Sequence, residues 1–171
     1  LDGHLMGADA SRSVLARGEA AADVAVIEGV MGYYDGMDAV SLRYSTYDMA
    51  RSTLSPALLV VDASGGAASV AAVARGFQTL VPDSGIRGVI VNRVSSRGHY
   101  ELVRDAIYHY TGLPCAGYLL KDAALSLPSR HLGLIPAGET ESLSDTLRRA
   151  GENAGATIDL DMILALSREA P

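Results

Sequence analysis

Runs of consecutive apolar residues, helix-period segments between them, and polar residues closing several runs predict an α/β fold, with a mostly parallel sheet flanked by helices. A strand covered on both faces is apolar in succession, whereas a strand wetted on one face alternates. Four runs have the first character: VAVIEG (24–29), PALLVVDAS (56–64), IRGVIVNRV (86–94) and PCAGYLL (114–120). LGLIPA (132–137) is a short fifth candidate.

The helical segments follow in order. In GGAASVAAVARGFQTLV, Val70, Val73, Ala74 and Phe77 recur at helical spacing. In SSRGHYELVRDAIYHYTG, Tyr100, Val103, Ala106, Ile107 and Tyr110 do the same, with Ser95 or Ser96 as the cap and Gly112 as the stop. TESLSDTLRRAGENA and IDLDMILALSREA read as two further helices. Strands alternating with helices imply βαβ units.

Composition bounds the rest. The chain has 171 residues, 49% of them hydrophobic and 20% charged, with net charge −6, which suits one globular domain over 1–171. The acidic balance argues against a nucleic-acid partner or an anionic membrane surface. No apolar run reaches the ~18 residues of a membrane span, and there is no signal-peptide pattern. The lone Cys115 has no internal disulfide partner, which points to a reducing, cytoplasmic setting. Cys115 reads as a small core residue and not as a nucleophile. His99 and Tyr100, on a helix, read as packing or surface residues.

In open α/β sheets, ligands gather at the carboxyl ends of the strands. Glu28 follows VAVI, Asp62 follows LLVV, and Asn92-Arg93 follows VIV, so the expected strands put all of them on one rim. Acids at strand ends can also merely end a strand or cap the next helix, and Asn92 could be such a cap. A carboxylate held at a strand end suits Mg²⁺, which takes one or two carboxylates plus water and phosphate oxygens. Glu28 is therefore the candidate metal ligand. Gly29, Gly32 and Gly36 would let the backbone turn sharply and approach a ligand closely. Asp35 lies further along the same turn and could face a substrate.

The stretch IEGVMGYYDG (27–36) resembles the motif of the cobyrinic acid a,c-diamide synthase family. The likeness continues in order through LLVVDASGGAASVAAVARGF, IRGVIVNRVSSRGHYELVRDAI and CAGYLLKDAALSLPSRHLGLIPAGE, and it starts at LDGHLMG. These motifs cover about 1–142, leaving 143–171 as a helical tail.

The resemblance implies a glutamine-dependent amidoligase of corrinoid biosynthesis. Its ATP-binding domain is a P-loop NTPase fold related to dethiobiotin synthetase. ATP and Mg²⁺ convert the a- and c-carboxylates of a corrinoid to acyl phosphates, which ammonia turns into amides. A glutamine amidotransferase domain of the same full-length chain supplies the ammonia. By the same resemblance Glu28 holds Mg²⁺ and Asp35 handles substrate or intermediate, as the catalytic pair. Asn92 reads adenine and Arg93 lies along the nucleotide. Met31, Gly32, Tyr33, Arg130 and His131 approach the substrate.

The chain departs from the family in several places. No G-x-x-x-x-G-K-S/T occurs, and the sequence opens on Leu1 as if already under way. It therefore reads as an N-terminally truncated fragment without its P-loop and without the amidotransferase domain, inactive alone and binding ATP poorly. Exposed strand edges would favour a homodimer. Leu120 and Lys121 stand where the family has proline and arginine, and Tyr33 where it has an apolar residue. Nickel-sirohydrochlorin a,c-diamide synthase shares the same motifs. A non-catalytic, partitioning-ATPase-like scaffold is the alternative of another class.

Overall fold

A computed structural model of the chain describes residues 1–125 and 141–170. It is α/β, with a three-stranded parallel sheet flanked by helices. The strands are β1 (Ala57–Asp62), β2 (Ile86–Val94) and β3 (Cys115–Leu120), in spatial order β1-β2-β3. The helices are α1 (Gly3–Glu19), α2 (Thr46–Thr53), α3 (Ala68–Thr79), α4 (Arg97–Thr111), α5 (Glu141–Thr157) and α6 (Leu160–Ser167). The chain forms two compact units. One is made of Leu1–Leu58, Phe77–Arg87 and Asp161–Pro171, the other of Leu59–Gly76 and Gly88–Leu160.

In the second unit the expected elements form where the apolar pattern puts them. Val89, Val91 and Val94 of β2, Ala116 of β3, and Val103 and Ile107 of α4 are fully buried. Each is branched or small, which suits the crowded surface between a sheet and a helix. Helix α4 starts because Ser96 Oγ accepts the His99 N–H at 3.1 Å. It stops because Gly112 adopts φ 71°, a left-handed turn whose N–H returns to the Tyr108 carbonyl. Tyr100 stacks on Tyr118 at 4.4 Å between ring centres, so it is the packing residue its helical position suggests.

The β2–β3 ladder is parallel, with two irregularities. Val89 pairs with Cys115, but Ile90 pairs with Gly117 and Val91 with Tyr118, before Val94 pairs with Leu120. Gly117 has φ 136° and forms an antiparallel bridge to Ile158. A Cβ there would meet the Thr157 carbonyl oxygen and lie 2.6 Å from the Ile158 Cα. Only glycine lets these two backbones come so close.

Burial on β1 differs from the expectation. Leu59 and Val61 are buried while Val60 is 58% exposed. The run LLVV is therefore wetted on one side. Among the described residues β1 has a ladder neighbour in β2 alone, and an apolar run reports side-chain chemistry without reporting what covers each face.

The first unit contains the main correction. VAVIEG (24–29) is not a strand. No strand among the described residues pairs with it, and Val26 and the following Val30 are 89% and 96% exposed. A strand is held by its ladder and by burial, and this segment has neither from the described residues. Two helices that the periodicity misses flank it. α1 is capped by Asp2, which accepts from the His4 and Leu5 N–H groups, and it kinks at Gly7, φ 74°. α2 is capped by Ser45, while Asp48 reaches back to the Tyr44 N–H at 2.8 Å. The LGLIPA candidate lies outside the described residues.

Candidate functional site

The two units divide the site residues expected from sequence. Glu28, Met31, Gly32, Tyr33 and Asp35 belong to the first unit, and Asp62, Asn92 and Arg93 to the second. Arg130 and His131 lie outside the described residues. Glu28 therefore does not close a strand. The strand ends of the second unit carry Asp62 and Asn92-Arg93, and residues 24–29 pair with no strand among the described residues.

In the first unit, residues 27–44 form a loop stitched by backbone bonds within it and to α2. The Asp35 N–H donates to the Gly32 carbonyl (3.0 Å), Met37 N–H to Arg43 (3.0 Å), and Tyr47 N–H to Tyr33 (2.9 Å). The glycines serve space and not left-handed turns: none of Gly29, Gly32 and Gly36 has positive φ. A Cβ on Gly29 would lie 2.5 Å from Thr46 Oγ1, and one on Gly36 would lie 2.5 Å from the Ser41 carbonyl oxygen. A Cβ on Gly32 would strike the Asp35 carboxylate, so the close approach at this turn comes from the loop itself.

Tyr33 and Tyr34 are half-buried beside Tyr47, with Tyr33 and Tyr34 edge to face at 4.9 Å. The Tyr33 hydroxyl donates to the Ser84 carbonyl at 2.6 Å, and that of Tyr34 to Phe77 at 2.6 Å. Burial, then the neighbouring tyrosines, push the Tyr33 hydroxyl up to about 12. Glu28, Met31 and Asp35 are exposed. No hydrogen bond or ion pair from the described residues engages the Glu28 or Asp35 carboxylate.

The rim in the second unit is more constrained. Arg93 has φ 62°, and the ladder carries one extra residue between Val91 and Val94, a β-bulge at the strand's carboxyl end. Bulges of this kind re-aim side chains. The Asn92 carbonyl accepts from the Ala63 N–H at 2.9 Å, tying the bulge to the end of β1. Arg93 donates to Asp62, Nη1 to Oδ2 3.1 Å. Hydrogen bonds from Ser64, followed by the Arg93 guanidinium, hold the Asp62 carboxyl below its ordinary range. The Asn92 side chain is half-buried and has no hydrogen-bond partner among the described residues. Ser96 caps α4, so Asn92 is not the cap of the following helix.

His99 is the residue that sequence reasoning passed over. Its ring meets Ser95 on one side and the Gly66 carbonyl on the other, the latter at 2.7 Å. Its helical position showed no sign of this, because Gly66 is distant in sequence. Cys115 is half-buried, and burial pushes its thiol up to about 11, which keeps it protonated and inert at neutral pH.

The donor set limits what could bind. Among the described residues no group of three or more His, Cys, Asp or Glu side chains could hold a metal. A lone open carboxylate such as Glu28 suits Mg²⁺ that takes its remaining ligands from water and phosphate. An unpartnered amide such as Asn92 can both donate and accept, as an adenine edge requires.

The second unit thus carries polar side chains at the carboxyl ends of strands, the edge at which open α/β sheets generally take ligands. The relatives are specific. Cobyrinate a,c-diamide synthase of Priestia megaterium is 40% identical over 167 residues, which are 98% of this chain and 36% of the relative. The enzyme of the same name from Listeria monocytogenes serotype 4b (strain F2365) is 42% identical over 170 residues, 98% of this chain and 37% of its own length. That of Dehalococcoides mccartyi (strain ATCC BAA-2266 / KCTC 15142 / 195) is 39% identical over 171 residues, 100% of this chain and 37% of its own. The chain therefore spans a little over a third of the curated relatives it matches, and the family likeness carried by its motifs is borne out. The similarity also runs past residue 142, through the helical tail. No family model matches the chain, and no solved structure matches it. No helix among the described residues is long and apolar enough to cross a membrane.

Proposed function

We propose that the chain is the carboxylate-activating part of a cobyrinate a,c-diamide synthase, acting in cobalamin biosynthesis. The observation that carries this is 39–42% identity, over nearly the whole chain, to synthases of that name from three bacteria. The bulge that presents Asn92 at the sheet rim supports it. The substrate is a corrinoid with side-chain carboxylates, and glutamine is the nitrogen source, through an amidotransferase domain of the full-length enzyme. In this reading the ATP-binding domain has the P-loop NTPase fold of dethiobiotin synthetase.

A carboxylate is a poor electrophile for ammonia, and ATP supplies the phosphoryl group that gives it a leaving group. The chain's residues bind and orient. Asn92 recognises the adenine edge, and Arg93, held by Asp62, flanks the nucleotide. Glu28 provides the carboxylate for Mg²⁺. Asp35 orients the reacting carboxylate, with Met31, Gly32, Tyr33, Arg130 and His131 around the substrate. Tyr33 acts through its ring, since its hydroxyl is already bonded to Ser84. No lysine-bearing phosphate loop occurs in the sequence, so the chain alone binds Mg·ATP weakly.

The test is calorimetry of Mg·ATP on the chain alone and on a full-length synthase carrying it, followed by amidation of cobyrinate with glutamine. The full-length protein should bind and amidate, and Glu28→Gln should weaken Mg·ATP binding by about 10-fold or more. A full-length protein that binds no Mg·ATP would remove the ligase reading and favour a non-catalytic scaffold.

A further inference from the structure

We propose that His99 is a positioning residue for Asn92. It latches the turn after β1 to the turn after β2, and so sets how tightly the rim holds a nucleotide that it does not touch. This rests on the reading of Asn92 as the nucleotide-recognising amide.

The latch is defined by three contacts. His99 Nδ1 lies 3.2 Å from the Ser95 backbone nitrogen and 3.1 Å from Ser95 Oγ, and Nε2 lies 2.7 Å from the Gly66 carbonyl oxygen. A backbone N–H can only donate, so Nδ1 carries no hydrogen. A carbonyl can only accept, so Nε2 carries one. The neutral tautomer with its hydrogen on Nε2 satisfies both backbone partners at once, whereas the Nδ1–H tautomer satisfies neither of them and could donate only to Ser95 Oγ. The ring stands on a fixed base, because the His99 N–H is bonded to the Ser96 cap of α4.

What is latched needs holding. The turn after β1 contains Gly65 and Gly66 in succession, the most freely rotating pair a chain can have. The turn after β2 follows a bulge in which Arg93 adopts φ 62°, costly for a residue with a side chain. Such a conformation persists only when its surroundings over-determine it. Asn92 sits among the ties that do so. On one side are the Ala63–Asn92 backbone bond and the Asp62–Arg93 pair; on the other is the His99 bridge. Without the bridge, Ser95 loses an acceptor and the Gly66 carbonyl a donor. The two turns then move independently, and the Asn92 amide is no longer held at a fixed distance from whatever binds along β1.

Two measurements test this. In the 171-residue chain, nitrogen-15 NMR should show His99 as the Nε2–H tautomer. His99→Ala should speed amide exchange at residues 64–67 and 93–95 about 10-fold or more, while α4 stays protected. In a full-length synthase carrying the chain, His99→Ala should raise the KM for ATP about 5- to 10-fold with kcat within about twofold, the scale of one hydrogen bond. His99→Gln, which can still reach Gly66, should recover most of this, and His99→Asn, which can face only Ser95, less. An Nδ1–H tautomer, unchanged exchange, or an unchanged KM beside an Asn92→Ala variant whose KM rises would each overturn the latch. If Asn92→Ala leaves KM unchanged, the nucleotide reading of Asn92 falls instead, and the exchange data still decide the latch.

Discussion

The loop at 27–44 and the β2–α4 segment are equally plain as motifs, yet they are held differently. IRGVIVNRV becomes a strand with buried Val89, Val91 and Val94, and its continuation becomes a capped helix. VAVIEGVMGYYDG becomes a loop with exposed valines, anchored by its tyrosines and by backbone bonds to its neighbours. An apolar run is a request for cover. β2 finds its ladder partners nearby in sequence, in β1 and β3, and α4 packs on β3 beside it. Residues 24–29 find none among the described residues.

The contrast can be broken by substitution. The largest effect is expected at glycines. Gly117→Ala drives a Cβ into the backbone at Thr157 and Ile158 with φ already at 136°, and should cost about 3–5 kcal/mol. Gly32→Ala meets only the tip of the Asp35 side chain, which can swing away, and should cost about 1 kcal/mol. Urea unfolding followed by circular dichroism reads both, and equal losses would mean that the loop is as tightly built as the sheet.

Core truncation comes next. Ile107→Ala removes a fully buried side chain and should cost about 3 kcal/mol, against less than about 0.5 kcal/mol for Val30→Ala at 96% exposure. A large loss at Val30 would show that the loop is covered in solution.

The smallest effect sharpens the comparison from the loop's side. The Tyr33 hydroxyl ionises near 10.0 when unfolded and is pushed up to about 12 when folded, so the folded state holds this proton more tightly. Its contribution is complete below 10.0 and is lost as pH rises toward 12. Tyr33→Phe should unfold with a shallower pH dependence across that window. An identical pH profile would mean that the tyrosine cluster is open to water.

What was legible follows the same line. The bounds of β2, and Ser96 and Gly112 at the two ends of α4, can be read from the chain because local chemistry decides them. α1 could not be read from periodicity, since its only buried residue is Ser11 and a left-handed Gly7 interrupts it. Its Asp2 cap, and the Ser45–Asp48 pair at the start of α2, were the available signals. The bulge at Arg93 left no trace, because no glycine marks its left-handed backbone. The Gly66 partner of His99 is equally silent, being a backbone carbonyl 33 residues away.

The β2–β3 ladder behaves like a crystal row containing two dislocations of opposite sign. It is in one frame at Val89–Cys115 and again at Val94–Leu120, and slipped by one residue at Ile90–Gly117 and Val91–Tyr118. One surplus residue lies on β3 near Ala116 and the other on β2 near Arg93, so the slips cancel. Each surplus also releases a backbone carbonyl to a partner outside the ladder: Ala116 accepts from Asp159 at 2.7 Å, and Asn92 accepts from Ala63 at 2.9 Å. The lengths of these two strands are therefore coupled. A lineage that loses a residue from one is pressed to lose one from the other, or to re-phase the rim on which Asn92 stands.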